Sequence, residues 1–250
     1  MKAPIRRLLI AGLRVIFPPQ CLGCDTVVQD DGALCPTCWP DTPFITGMVC
    51  DACGVALPGG GADAAICDDC QLTPRPWLRG RAALDYGGKA RGLVLALKHA
   101  DRLDLAGPLA GWMARAGAPI LTPGMIAVPV PLSAQRMLAR RANQAAVLAL
   151  ALARQPQAQA VGLRVIPDAL LRTRHTGSQD GLTRDQRLLN LRGAFAVRPA
   201  RRAALSGQPV LLIDDVMTSG ATLAGCAQAC LEAGSGPVSV LVLARVAKGG

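Results

Sequence analysis

The chain has 250 residues, a formal net charge of +10, 51% hydrophobic residues and only 3% aromatic ones. That length holds one mid-sized α/β domain plus a small accessory unit, and its core must be built from aliphatic and alanine side chains. The basic balance favours phosphate-rich partners such as nucleotides, pyrophosphates, nucleic acid or an anionic surface, while no uninterrupted apolar run is long enough to cross a bilayer.

Residues 1–18 are basic and apolar. Arg6, Arg7 and Arg14 interrupt the apolar run, and no small-residue cleavage site follows, so a signal peptide is not expected. Ile5, Leu8, Leu9, Leu13 and Ile16 share one face of a predicted amphipathic helix, which Pro18 and Pro19 stop. Docking of that face on the chain's own core is favoured over a membrane surface.

Residues 19–72 carry four Cys-x-x-Cys pairs: Cys21/Cys24, Cys35/Cys38, Cys50/Cys53 and Cys67/Cys70. Two thiolates at that spacing face one tetrahedral Zn²⁺, and two pairs close a site. The order predicts an internal repeat of two ribbons with one structural zinc each. Cys21, Cys24, Cys35 and Cys38 hold the first; Cys50, Cys53, Cys67 and Cys70 hold the second. A cross-braced pairing, first with third and second with fourth, fits the spacing too. Gly54 stands where a zinc knuckle needs a left-handed residue, and Asp25 stands at the equivalent place in the first ribbon. A site filled by four thiolates has no open position for catalysis, so the metals serve folding. Disulfides or a redox dithiol fit four regular pairs less well.

Residues 71–80, with Pro74 and Pro76, read as a linker. Beyond it, strands are expected at 81–86, 125–130, 163–166, 210–213 and 238–243. Helices are expected at 89–99, 102–116, 143–154 and 221–233, with Pro108 breaking or kinking the second. Residues 172–192 read as a basic loop leading into a helix. Cys226 and Cys230 sit four apart on the helix after 210–213 and read as small buried hydrophobes. This alternation predicts a mainly parallel sheet flanked by helices over 81–246.

The stretch 210–222 carries the most chemistry. An apolar strand ends on Asp214 and Asp215, and Thr218, Ser219, Gly220, Ala221 and Thr222 turn into a helix. Open α/β sheets bind ligands at such a carboxyl end. Two ionised carboxylates accept hydrogen bonds from a sugar diol, and the turn with its helix N-terminus suits a phosphate. No G-x-x-x-x-G-K-[ST] loop and no G-x-G-x-x-G after a strand competes with it. The segment resembles the phosphoribosyl pyrophosphate (PRPP) motif of type I phosphoribosyltransferases. The resemblance implies that the two acids hold the ribose hydroxyls and the loop holds the 5′-phosphate.

Upstream, Val128-Pro129-Val130-Pro131-Leu132 leads to Arg136, Arg140 and Arg141 and then Asn143-Gln144. Guanidinium groups there suit a pyrophosphate. With Arg174-His175-Thr176-Gly177-Ser178-Gln179, and with the N-terminal cysteine pairs, the order of motifs closely resembles the ComF family across residues 18–245. Members usually carry Arg-Gly-Phe-Asn-Gln where this chain has Arg140-Arg141-Ala142-Asn143-Gln144, and a Lys-Phe stretch where it has Lys98-His99. His99 and His175 read as surface or packing residues.

The resemblance implies a double zinc ribbon, a phosphoribosyltransferase core and an association with DNA uptake in competent bacteria. Two functions follow as expectations for a cytoplasmic protein. In the first, a Mg²⁺-dependent transferase holds PRPP across Asp214, Asp215 and 218–222, with Arg140, Arg141 and Arg174 at the departing pyrophosphate. In the second, a non-catalytic scaffold keeps that pocket and holds single-stranded DNA, or competence and recombination proteins, on a stripe of Arg136, Arg140, Arg141, Arg172, Arg174, Arg184 and Arg187. The low aromatic content weighs mildly against base stacking.

Overall fold

The computed structural model describes residues 17–60, 64–98, 102–132, 142–174 and 193–247. The expected N-terminal helix, save for the residues at its end, lies outside them. So do His99, Arg136, Arg140, Arg141, His175, Arg184 and Arg187.

Five strands form one parallel sheet: β1 (Arg79–Asp85), β2 (Ile126–Pro129), β3 (Arg164–Val165), β6 (Val210–Met217) and β7 (Val238–Arg245), in the order β1-β7-β6-β2-β3. β6 and β7 are central, and β7 is buried along its whole length. Such continuous burial is what a parallel strand covered on both faces requires, and it explains the apolar character of Val238-to-Leu243, whose one polar residue, Ser239, is itself buried.

Helices α2 (Gly88–Lys98), α3 (Ala106–Gly117) and α4 (Gln144–Leu152) cover one face. There Leu97, Leu109, Met113, Leu148 and Leu152 pack on Leu211, Ile213, Leu241 and Leu243. The other face carries α7 (Ala221–Glu232) and a two-stranded antiparallel pair, β4 (Leu170–Arg172) with β5 (Phe195–Val197). Cys226 and Cys230 are buried in that core with Leu212 and Val240. Burial pushes the Cys230 thiol up to about 12 and Cys226 well above its ordinary value. Both behave as small apolar side chains. Three short helices, α1 (Asp68–Leu72), α5 (Pro156–Ala160) and α6 (Pro199–Leu205), complete the α-helices among the described residues.

Three expectations change in detail. Pro108 does not break a helix. A 3₁₀ turn at Leu103–Leu105 precedes α3, so Pro108 falls in the first helical turn, where its missing N–H has no partner to lose. The central strand does not end at Ile213 but runs to Met217. On the β2 side the ladder stops where the Val130 N–H donates to the Ile213 carbonyl, because the next pair is diverted: the Asp215 N–H donates to Asp214 Oδ1 and the Val130 carbonyl accepts from Asn143 Nδ2. On the β7 side the ladder continues from Asp214 opposite Val242 to Met217 opposite Arg245. Lastly, the 71–80 segment is no free spacer. Arg75 and Trp77 within it are buried.

The ribbons clasp the edge strand β1. Residues 43–45 lie along its outer edge: the Ile45 N–H donates to Ala83 O, and the Asp85 N–H donates to Pro43 O. That covers an edge that would otherwise invite pairing with another chain. Gly54 and Gly80 let the second ribbon approach closely. A Cβ on Gly54 would lie 2.6 Å from the Ala82 nitrogen, and one on Gly80 would strike the Ala52 carbonyl.

Candidate functional site

The eight paired cysteines gather in chain order. Cys21, Cys24, Cys35 and Cys38 form one cluster and Cys50, Cys53, Cys67 and Cys70 the other, each with its sulfurs within 4.8 Å of one another. The pairing is therefore sequential, not cross-braced. All eight are free thiols. Zn–S bonds of about 2.3 Å in a tetrahedron place sulfurs about 3.8 Å apart. The Cys24–Cys35 and Cys53–Cys67 sulfurs stand 3.6 and 3.7 Å apart. The backbone N–H of Cys35 donates to Cys21 Sγ at 3.2 Å, and that of Cys67 to Cys50 Sγ at 3.4 Å. Contact with Cys53 lowers the Cys50 thiol to about 4 and raises Cys53 in turn. Sulfurs so crowded repel as thiolates, and a dication relieves that repulsion. The clusters fit two structural Zn²⁺ ions. The Cys-Gly and Cys-Asp knuckles have the left-handed residues anticipated, Gly54 at φ 71° and Asp25 at φ 60°.

At the carboxyl end of the sheet, Asp214 and Asp215 lie side by side within β6, just past the last pairing with β2. The strand's alternation sends them to opposite faces. Lys98, at the end of α2, reaches Asp215, with Nζ 3.3 Å from Oδ2. Asp214 lies on the α7 side, where its charge helps to raise the Cys226 thiol after burial and Cys230. Its Oδ1 also accepts from the Asp215 N–H at 2.9 Å. Gln144 ties α4 to this corner through Nε2 to Lys98 O at 3.4 Å. Asn143 caps α4 by accepting from the Ala145 N–H and donates to Val130 O. The Asn-Gln pair thus fixes the strand end and the helix that flank the site.

The turn after β6 owes its shape to two buried arginines. Arg245, the last residue of β7, is 3% exposed. Its Nη1 donates to the carbonyls of Met217, Thr218 and Val246. Arg75 Nη1 donates to Ser219 O at 2.8 Å. Gly220 then takes φ 79°, and its own carbonyl accepts from the Ala224 N–H inside α7. A peptide's C=O and the next residue's N–H point in opposite directions. With the carbonyls of 217, 218 and 219 drawn inward, the N–H groups of Thr218, Ser219 and Gly220 face away from the arginines. The first-turn amides of α7, Ala221 and Thr222 among them, have no intrahelical acceptor. The result is a row of outward backbone donors at a helix N-terminus, with the Ala221 N–H reaching Ser219 Oγ at 3.4 Å, an arrangement suited to an anion.

Arg174 is exposed, beyond β4. Arg140 and Arg141 lie outside the described residues. Sequence reasoning overlooked Arg75, Trp77 and Arg245. Arg245 was detectable as the one charge at the end of an otherwise uncharged strand. Arg75-Pro76-Trp77 was detectable as a rare tryptophan beside a cation in a segment dismissed as a spacer.

The architecture defines an α/β protein with a five-stranded parallel sheet flanked by helices and an N-terminal double zinc ribbon. The model of the double zinc ribbon domain matches residues 12–71. DNA utilization protein YhgH of Salmonella typhi is 32% identical over 203 residues, 79% of this chain and 84% of that protein. YhgH of Salmonella typhimurium is 31% identical over 231 residues, 90% of this chain and 89% of that protein, and YhgH of Escherichia coli K12 is 29% identical over the same span. The chain belongs to the ComF family, that of DNA utilization protein YhgH. Among solved structures, the allosteric regulatory enzyme of purine biosynthesis is a loose likeness. It covers 60% of this chain and 30% of its own, at 16% identity and a TM-score of 0.37. Among the described residues, no helix is long and apolar enough to cross a membrane.

Proposed function

We propose that this chain binds PRPP with Mg²⁺ at the carboxyl end of β6 and β7 and serves DNA utilization. One observation carries the reading. Three successive carbonyls of the turn, 217 to 219, are held from behind, so its amides face outward beside two adjacent carboxylates. A 5′-phosphate suits the amides of 218–222, and a ribose diol suits Asp214 and Asp215. Lys98, already paired with Asp215, adds a cation at the side from which a pyrophosphate would arrive. Arg174, with Arg140 and Arg141, would complete that end. Mg²⁺ supplies charge neutralisation of the pyrophosphate when bound.

In this reading residues 1–18 form a helical arm, 19–72 the ribbons and 81–246 the ligand-binding domain. The protein works in the cytoplasm, where thiols stay reduced and available to zinc. The role in DNA handling is supported by the name the relatives carry and by the net charge of +10. Contact with a DNA backbone would be electrostatic and would weaken steeply with salt.

Ligand-induced stabilisation tests the pocket. PRPP with Mg²⁺ should raise the thermal midpoint of the wild type and leave Asp215→Asn unmoved; no shift in the wild type would refute the reading. Turnover and binding then separate. Pyrophosphate released in the presence of some acceptor, and abolished in Asp215→Asn, marks a transferase. PRPP binding without release, with salt-sensitive affinity for single-stranded DNA, marks a non-catalytic DNA-handling protein.

A further inference from the structure

Arg75 joins two parts of the molecule that the sequence presents as separate. Its side chain is 3% exposed, and its guanidinium makes three contacts at once. Nη2 pairs with Asp69 Oδ2 at 2.8 Å, Nε donates to Cys70 Sγ at 3.4 Å, and Nη1 donates to Ser219 O at 2.8 Å. Two of those partners belong to the second zinc ribbon, and the third is the middle of the turn after β6. Trp77 reinforces the link. Its Nε1 donates to Ala52 O, between Cys50 and Cys53, at 2.6 Å. Its ring lies under the Arg75 guanidinium at 5.6 Å and against Gly220. Even Gly220's lack of a side chain reflects this packing, since a Cβ there would stand 3.1 Å from Arg75 Nη1 and 3.2 Å from the Trp77 ring.

We infer that Arg75 is a positioning residue that couples the second zinc ribbon, and not the first, to the phosphate loop. The inference rests on the proposed PRPP reading for the loop's ligand, though not for the coupling itself. The reasoning is electrostatic and geometric. A guanidinium is always charged and presents a rigid fork of donors, so it can satisfy a carboxylate, a sulfur and a carbonyl together. The second ribbon, through Asp69 and Cys70, therefore holds Arg75 in the pose that draws the Ser219 carbonyl inward and turns the Gly220 N–H out. Linkage is reciprocal: an anion that stabilises the outward amides must also stabilise the second ribbon. Among the described residues the first ribbon shows no such contact with the turn. Its cluster packs with Val28 and Leu34, and it meets the sheet on the α2 and α3 side.

Two readouts on the full-length, zinc-loaded protein test this. The first needs no ligand. Amide exchange is followed at Ala224, whose N–H bonds the Gly220 carbonyl, and at Val246, whose N–H bonds the Met217 carbonyl. Arg75→Gln should speed exchange at Ala224 by about fivefold or more and leave Val246, held with Arg245, closer to wild type. The second is zinc release to a chromophoric chelator. Saturating PRPP with Mg²⁺ should slow the loss of one of the two zincs about fivefold or more in the wild type and of neither in Arg75→Gln. A merely structural arginine would not produce that one-of-two selectivity. Should Arg75→Gln fail to fold, Arg75→Lys keeps the charge but cannot make three contacts, and it should fall between. Exchange at Ala224 unchanged in the folded variant overturns the inference, even if PRPP binds. Faster exchange without any PRPP binding upholds the coupling and overturns the ligand assignment. Equal protection of both zincs overturns the selectivity on which the inference depends.

Discussion

Replacing Gly54 with alanine probes the joint between ribbon and sheet. Gly54 follows Cys53 and has φ 71°, where an L side chain is strained by about 1 kcal/mol. Its added Cβ would also lie 2.6 Å from Ala82 N, 2.7 Å from Arg81 C and 2.8 Å from Arg81 Cα. These are backbone atoms of β1, fixed by the ladder with β7, so the ribbon has to back away. Overpacking of that kind costs roughly 1–3 kcal/mol. The total is roughly 2–4 kcal/mol, and at 2–4 °C per kcal/mol the thermal midpoint should fall by roughly 4–16 °C. Gly47 supplies the control. It has φ 75°, but a Cβ there would meet nothing within 4 Å. Gly47→Ala therefore carries the strain alone, about 1 kcal/mol, or roughly 2–4 °C. Calorimetric or dichroic melts of the three zinc-loaded proteins decide the matter. Equal midpoints for Gly54→Ala and Gly47→Ala would refute the close docking of the second ribbon on β1.

The metal clusters predict stoichiometry: Cys53→Ser should reduce bound zinc from two ions to one by atomic absorption, whereas Cys226→Ser should retain both. Asp51 accepts from Arg79 and Arg81. Burial alone would raise its carboxyl, but those two arginines outweigh burial and hold it below its ordinary value. Its folded pKa is depressed, so its contribution is present above the ordinary carboxylate pKa of about 4 and is lost as pH falls through the folded value. Asp51→Asn should cost roughly 1–3 kcal/mol at pH 7, and its urea midpoint should converge on that of the wild type, compared at each pH, only well below pH 4. A gap that closes between pH 7 and 5 would contradict the assignment. Gly220→Ala forces a left-handed alanine against Arg75 and Trp77. Its PRPP affinity should fall at least tenfold while both zincs remain bound; unchanged affinity would argue against the turn as the phosphate cradle.

Much of this architecture could be read from the residues. The four cysteine pairs announce their clusters because thiolate spacing is a local constraint, and the 3.6 and 3.7 Å sulfur separations follow from it. The apolar runs at 125–130, 210–213 and 238–243 announce buried parallel strands because both faces are covered. Other features lay beyond local pattern. The end of β6 was misjudged because Asp214 and Asp215 break the apolar run, while the backbone ladder with β7 is indifferent to side-chain polarity and continues to Met217. The β4–β5 pair was missed because its strands, Leu170–Arg172 and Phe195–Val197, are three residues long and far apart in sequence. Arg75 and Arg245 were missed as loop-shaping residues for the same reason. Their partners, Ser219 and Thr218, become neighbours only after the sheet forms.

The central claim is that the turn after β6 and the paired acids form a PRPP site. Isothermal titration of the zinc-loaded protein with PRPP, with and without Mg²⁺ and alongside Asp214→Asn, tests it most directly. The account predicts binding that requires Mg²⁺ and is lost in Asp214→Asn, with the variant still holding two zincs. No binding by the wild type, or equal binding by the variant, would contradict it.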